Sequence, residues 1–541
     1  MRIVAKTRVG KFEGVDAGRA MVFKGIPYAR PPVGKLRFRS PEPPPPIRST
    51  YDATKFRPSC LQPPSELFPQ TGPTEMSEDC LYLNIWTPRL DTKPRPVMVW
   101  IHGGAFVAGS GAFPWYDGAR LANHEVVVVT LNYRLGPFGF LYLEALLGST
   151  FAECSNLGLQ DQMAALAWVR QHIEGFGGDP ENITIFGESA GAMSAATLMG
   201  VPTAKGLFER VIAQSGAAHN VLPAEVAARI AEKFAEQLEN ITGERIIQGD
   251  AIQKIPATAV LDAGMETLAY FSDPRENHRS QRHEKGDPTI LLPFQPVLDG
   301  SLIPRRPLDE IGEGNAAGIP LITGTTRDEY MLFTFTDRAF HSLDRKMVIR
   351  RIERTFITAK QLGLYSDKSH LSSTRQATDI YDFYVDWLRR HKRPADAKHV
   401  WAAVATDIMF RVPAIRLAEA QAPYAPSRLY LFTRPSPMAN GKFGSPHAID
   451  IPFVFGNLED PAAKLFCGEG PEVVKLSSEM QLLWTSFAAK EPPHSPRVPE
   501  WPTYSLDRES RRPGLIVELG DFVGVVKDPE ADKAYLWEGI L

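Results

Sequence analysis

Cysteine is scarce in this chain of 541 residues, which has only Cys60, Cys80, Cys154 and Cys467. Four thiols so widely scattered build no disulfide scaffold, and none shows the spacing of a zinc site, so no metal is expected. Long apolar runs are lacking too. No stretch approaches the roughly 18 residues that cross a bilayer, so no membrane span is expected. The opening MRIVAKTRVGKFEGV also lacks the apolar centre of a secretory signal. The chain therefore reads as cytoplasmic if Met1 is the native start, and as secreted or periplasmic if a leader has been removed. Neither sign of charge dominates: 60 Lys and Arg stand against 63 Asp and Glu, a formal net charge of −3. That balance gives no reason to expect nucleic acid or an anionic membrane as partner, and leaves a small neutral substrate as the default. Oligomeric state leaves no mark in these residues.

What is present fits an ordinary soluble globular protein, with 43% hydrophobic and 23% charged residues. The length would allow three domains or so, or one large α/β domain, and no shift of composition marks a second. PEPPPPI at 41–47 is too short to link domains and reads as a stiff surface crossing. VMVWIHGG (97–104) and VVVVTLNY (126–133) are short runs rich in β-branched residues, suited to strands buried on both faces of a mainly parallel sheet. DQMAALAWVRQHIEGFGGDP (161–180) has helical apolar spacing and stops in glycines before Asp-Pro. NITIF follows as another buried strand, and the alternation continues through LFERVIAQSG (207–216) and IPLITGTTRDE (319–329). The pattern predicts a large doubly wound α/β fold with helices on both faces of the sheet.

One strand-to-helix junction carries chemistry. After NITIF come Gly187-Glu188-Ser189-Ala190-Gly191, a G-x-S-x-G, and then the helix-forming AMSAATLMG. Glycine suits positions where a side chain would strike the neighbouring strand and helix. The helix that starts beyond Ser189 aims free N–H groups and its positive dipole end at the oxygen, favouring negative charge there. His102-Gly103-Gly104-Ala105 follows another buried strand and is similar to the Gly-rich loop that completes an oxyanion hole. The candidate donors are the amides of Gly104, Ala105 and Ala190. The alternative for the loop is a plain glycine turn.

A serine hydroxyl needs a general base, and the base needs an acid to orient it. In folds of this kind the order along the chain is Ser, acid, His. Most histidines after Ser189 stand in charged surroundings such as RENHRSQRHEK or LRRHKRP and read as solvated, whereas His447 in GSPHAIDIPFVFG lies just before an apolar segment. Glu329 follows the strand IPLIT at a carboxyl end, where such sheets gather functional groups, and Asp328 competes with it on equal terms. Cys60 and Cys80 bound a Pro-rich loop, and on spacing alone a disulfide and two independent thiols are equally open.

These residues together resemble the type-B carboxylesterases, the family that also contains the cholinesterases. The likeness runs from FKGIPYARPPVGKLRFRSPEPP (23–44) to EWPTYS (500–505), with FGESAGAMS close to the family's nucleophile motif and SEDCLYLNIW (77–86) to its second signature. The resemblance implies an α/β-hydrolase fold, a single catalytic domain over 1–541 whose helical and loop insertions form a gorge, and a serine esterase that needs no cofactor. It selects Glu329 as acid and His447 as base, and matches Ser215 to a serine that supports the acid. Arg37 with Glu78 and Arg134 with Asp161 match structural ion pairs. Cys60 and Cys80 match a family disulfide.

Departures from the family pattern bear on substrate. Cholinesterases hold their cationic substrate on a tryptophan within the Cys-bounded loop, and 61–79 contains none, so choline esters are not expected. By position the acyl pocket would use Ile290 and Leu292, aliphatic where cholinesterases place aromatics, leaving room for bulkier acyl groups. Glu188, beside the nucleophile, reads either as a cation-attracting residue or as a residue held by hydrogen bonds. RENHRSQRHEK (275–285) sets Arg275, Arg279, Arg282 and Lys285 against two glutamates, and reads either as a solvated loop or as a gorge border favouring acidic esters. An adhesion-type homologue without activity and a lipase are the alternatives to an esterase.

Overall fold

A computed structural model of the chain describes residues 1–64, 75–243, 249–272, 292–335, 337, 339–361, 374–505 and 514–538. The strands are β1 (Arg2–Thr7), β2 (Gly10–Asp16), β3 (Met21–Pro27), β4 (Thr50–Asp52), β5 (Tyr82–Thr87), β6 (Arg95–Ile101), β7 (Val127–Leu131) and β8 (Gly178–Glu188). They continue with β9 (Arg210–Gln214), β10 (Leu222–Pro223), β11 (Val297–Leu298), β12 (Leu321–Thr326), β13 (Ser427–Phe432), β14 (Leu515–Leu519) and β15 (Val523–Lys527). Among the described residues, thirteen of them form one sheet in the order β1-β2-β3-β5-β7-β6-β8-β9-β12-β13-β14-β15, with β4 beside β2. From β7 to β14 all neighbours are parallel, and antiparallel strands flank this centre on both sides.

The parallel centre is buried on both faces because alternate side chains serve opposite cores. Val97, Val99 and Ile101 join one apolar cluster with Ile183, Ile185 and Val211. Met98 and Trp100 join another with Phe186, Ile212 and Tyr430. On the first face lie the helices Leu157–His172 and Ala190–Met199, and on the second the helix Pro471–Ala488. The helix expected from residue 161 begins four residues earlier, at Leu157, and gives way after His172 to a short 3-10 turn. Strand β8 begins at Gly178 rather than Asn182, since Gly178 pairs with Arg95. A third cluster, with Val348, Tyr384, Trp387 and Val404, lies within the helices Arg345–Gln361, Thr374–Arg390 and Ala397–Thr406.

Topology decides where chemistry can gather. The chain leaves β6 for β7 on one side and later returns to its other side as β8, so the switch point lies between β6 and β8. Their carboxyl ends are in register, Ile101 opposite Gly187, and Gly187 is opposite Ala213 in β9. The loops that leave β6, β8, β9, β12 and β13 therefore start from one edge of the sheet.

Candidate active site

Strand β8 ends at Glu188 and the next helix starts at Ala190, so Ser189 alone makes the turn, with φ 56° and ψ −126°. That left-handed conformation strains a residue with a side chain. Both flanking glycines are required by close approach. A Cβ on Gly191 would stand 1.9 Å from the Ile101 carbonyl oxygen, and one on Gly187 would stand 2.5 Å from the carbonyl carbon of Gly191. Ser189 is partly exposed while its neighbours Glu188 and Ala190 are buried.

The loop after β6 packs on this turn: a Cβ on Gly103 would lie 3.1 Å from the Ser189 Cβ. Gly104, Ala105 and Phe106 run through left-handed backbone at φ 111°, 55° and 61°. His102 supports the loop from below. Its buried ring stacks on Tyr133 at 4.4 Å, its Nδ1 lies 2.8 Å from Gly103 O, and the Tyr133 hydroxyl donates to His102 O at 2.8 Å. Burial pushes the His102 imidazole down to about 4, so it is neutral at physiological pH and Nδ1–H donates to that carbonyl. The amides of Gly104, Ala105 and Ala190 find no protein acceptor among the described residues. Three uncommitted donors beside a strained serine suit a developing oxyanion.

Glu329 is fully buried and has every partner a fixed carboxylate needs. Its Oε1 accepts from the Ser215 hydroxyl at 2.6 Å and from Thr326 N–H at 2.7 Å, and its Oε2 lies 2.6 Å from His447 Nδ1. Asp328, the alternative in the sequence, turns away and accepts from Ser445 N–H at 2.9 Å. Phe333 and Phe410 hold the imidazole between them, with ring centroids 5.1 and 4.7 Å away.

The other nitrogen of His447 departs from expectation. The sequence reading sets it on the Ser189 hydroxyl, but here Nε2 lies 3.0 Å from Glu188 Oε1. Among the described residues that hydroxyl makes no hydrogen bond with the ring. Electrostatics account for this position. Burial opposes charge on His447, yet Glu188 and Glu329 together outweigh it and raise its pKa to about 10. Burial pushes Glu188 up, and the pairing with His447 counters that. Asp450, three residues on, is also buried and accepts from Gln214 Nε2 at 3.0 Å and from the Tyr430 hydroxyl at 2.9 Å. Burial, then the negative fields of Glu188 and Glu329, raise it to about 7. Sequence reasoning missed Asp450, because an Asp ahead of IPFVF reads simply as a helix cap.

The remaining sequence candidates divide. Arg37 meets Glu78 through two hydrogen bonds of 2.5 and 2.6 Å, and Arg134 meets Asp161 at 2.8 and 2.7 Å. Cys60 and Cys80 are both buried and carry no bond to each other in this structure, and Cys60 lies close enough to help burial raise the Cys80 pKa. Leu292 is half-buried and packs against the core. Ile290 and the segment 275–285 lie outside the described residues. Among the described residues, no group of three or more His, Cys, Asp or Glu is placed to hold a metal ion.

A sheet parallel through its centre, with a strained serine on a strand-to-helix turn, defines an α/β-hydrolase. More narrowly, the chain belongs to the carboxylesterase family, whose pattern matches residues 2–518, and it is an enzyme acting on carboxylic ester bonds. It is 39% identical to a para-nitrobenzyl esterase of Bacillus subtilis (strain 168), over 98% of this chain and 97% of that one. It is 32% identical to a phenmedipham hydrolase of Pseudarthrobacter oxydans, over 94% of each. The crystal structure of a Geobacillus stearothermophilus carboxylesterase, 36% identical, matches with a TM-score of 0.81 over 99% of both chains.

Proposed function

We propose that this chain hydrolyses small-molecule carboxylic esters through an acyl-enzyme on Ser189, as a single catalytic domain. The observation that carries the reading is the hydrogen-bonded line Ser215–Glu329–His447, which ends at Glu188, the residue next to Ser189. Once deprotonated, His447 turns Nε2 from Glu188 to Ser189 and takes the hydroxyl proton as the oxygen attacks the ester carbonyl. Glu329 keeps its bond to Nδ1–H and so fixes the tautomer. Gly104, Ala105 and Ala190 stabilise the tetrahedral oxyanion, His447 returns the proton to the leaving alcohol, and water releases the acid by the same steps.

The substrate is not a choline ester, since 61–79 has no tryptophan to hold a quaternary ammonium. Aliphatic Ile290 and Leu292 favour bulky acyl groups, and the basic residues of 275–285 favour acidic ones. The name of the Bacillus subtilis relative supplies a test substrate, a para-nitrobenzyl ester. A burst of product with an aryl acetate, labelling of Ser189 by an organophosphate and loss of both in Ser189→Ala are the expected results. Absence of labelling in the intact protein overturns the reading in favour of an adhesion-type homologue. Activity that appears only at a lipid interface overturns it in favour of a lipase. If 275–285 selects acidic esters, Arg279→Gln with Arg282→Gln lowers the ratio of kcat/KM for acidic over neutral esters, and an unchanged ratio removes that part.

A further inference from the structure

We propose that Asp328 positions His447, and that Arg393, just beyond the helix Thr374–Arg390, holds Asp328 to that task. The proposal rests on the acyl-enzyme reading and adds to it a residue that touches neither substrate nor reacting atoms.

The segment after β12 and the loop that carries His447 are joined by a short ladder. Arg327 N–H donates to Phe432 O at 2.9 Å, Asp328 N–H to Ser445 O at 2.8 Å, and His447 N–H to Glu329 O at 3.4 Å. Asp328 contributes twice, because its Oδ2 also accepts from Ser445 N–H at 2.9 Å. This reciprocal pair fixes the residue two before His447 to the residue one before Glu329. Ser445 is fully buried, so without the carboxylate its N–H has no acceptor, an outcome that costs about 1–3 kcal/mol. Gly444 lies against the same group: at φ 59°, a Cβ there would stand 2.2 Å from Asp328 Oδ2. The loop is thus pressed onto this carboxylate, and the 2.6 Å bond between Glu329 and His447 depends on its height.

A carboxylate this buried needs a cation. Arg393 supplies it through an ion pair between Nη2 and Asp328 Oδ1, while Arg327 Nε lies 3.4 Å from Oδ2. Arg393 follows the helix Thr374–Arg390 and is anchored by its N–H to Leu388 O at 2.9 Å. Arg327 and Arg393 both line a cavity of about 300 Å3 with Trp387 and His391. The end of this helix thereby braces the loop that carries the imidazole.

The test compares Asp328→Ala, Asp328→Asn, Arg393→Ala and Arg393→Lys on an aryl acetate, with active sites counted by a fluorophosphonate so that kcat refers to competent enzyme alone. In Asp328→Ala, kcat per site is expected to fall about ten-fold or more while KM stays within about two-fold, because geometry rather than binding is lost. The acid limb of the pH profile moves to lower pH as the His447–Glu329 pairing loosens. Asp328→Asn recovers part of the loss, since its amide oxygen still accepts from Ser445, and Arg393→Lys recovers part of the loss in Arg393→Ala. An unchanged kcat per site and acid limb in Asp328→Ala overturn the proposal, and if that variant does not fold, the same result in Arg393→Ala does so. Intact enzyme that shows neither burst nor serine labelling overturns the acyl-enzyme reading instead.

Discussion

Glu188 and His447 are in contact, carboxylate Oε1 to imidazole Nε2 at 3.0 Å, while Glu329 holds the opposite nitrogen at 2.6 Å. An imidazole so placed is a good store of a proton and a poor base until it loses that proton. Ser189 is the residue next to Glu188, so the proposed mechanism has the ring exchange its contact with Glu188 for one with Ser189.

On the proposed mechanism, this contact sets the pH dependence of activity. His447 must be neutral to take a proton, and its pKa is raised to about 10 by Glu188 and Glu329 working against burial. Replacing Glu188 by Gln keeps the shape and removes one of the two charges, so the pKa falls and activity extends to lower pH. The acid limb of kcat/KM in Glu188→Gln is expected to move down by about 1–3 pH units. A limb that stays where it is in the unaltered enzyme contradicts the electrostatic account.

Asp450 makes a separate prediction about stability. Its pKa is about 7 in the fold, raised by burial and by Glu188 and Glu329, against 3.8 for an exposed carboxyl. Between those values the unfolded chain releases the proton and the folded chain keeps it. Stability therefore declines as pH rises through that window, and the full cost remains above it. Asn does not ionise and still offers an oxygen to Gln214 and Tyr430. Asp450→Asn should gain stability over the unaltered protein by about 2–4 kcal/mol more at pH 8 than at pH 4.5, measured by urea unfolding. An equal difference at the two pH values refutes it.

Gly191 tests the nucleophile turn itself. Its Cβ would stand 1.9 Å from a backbone oxygen of β6, which cannot move without parting the sheet. Gly206 has a positive φ of 83° but nothing within 4 Å of its Cβ position. Gly191→Ala is expected to lose about 3 kcal/mol or more, or not to fold, whereas Gly206→Ala loses about 1 kcal/mol from backbone strain alone. Similar melting temperatures for the two variants would remove close approach as the reason for glycine at 191.

Much of the centre was legible because its signals are local. Val97 to Ile101 and Val127 to Leu131 are short apolar runs rich in β-branched residues, which suits strands buried on both faces. The junction at Ser189 was legible for the same reason, a strand pattern meeting a helix pattern across one residue. The start of β8 was misplaced, because Gly178 enters the sheet by pairing with Arg95, far away in the chain. Asp450 was invisible for a like reason: what makes it unusual is Glu188 and Glu329, which lie more than a hundred residues away in the chain.

By itself, the order of residues determined the strands of the sheet's centre, the sharp turn that carries Ser189 and the glycine loop after β6, since each follows from steric or apolar patterns within a few neighbours. Tertiary structure alone decided which carboxylate each nitrogen of His447 meets, and that Asp328 holds a loop while Glu329 holds the ring. The reason is that charge and hydrogen bonding act through space, and the partners that set them come from β8, β9, β12 and β13, which sequence separates and the sheet brings to one edge.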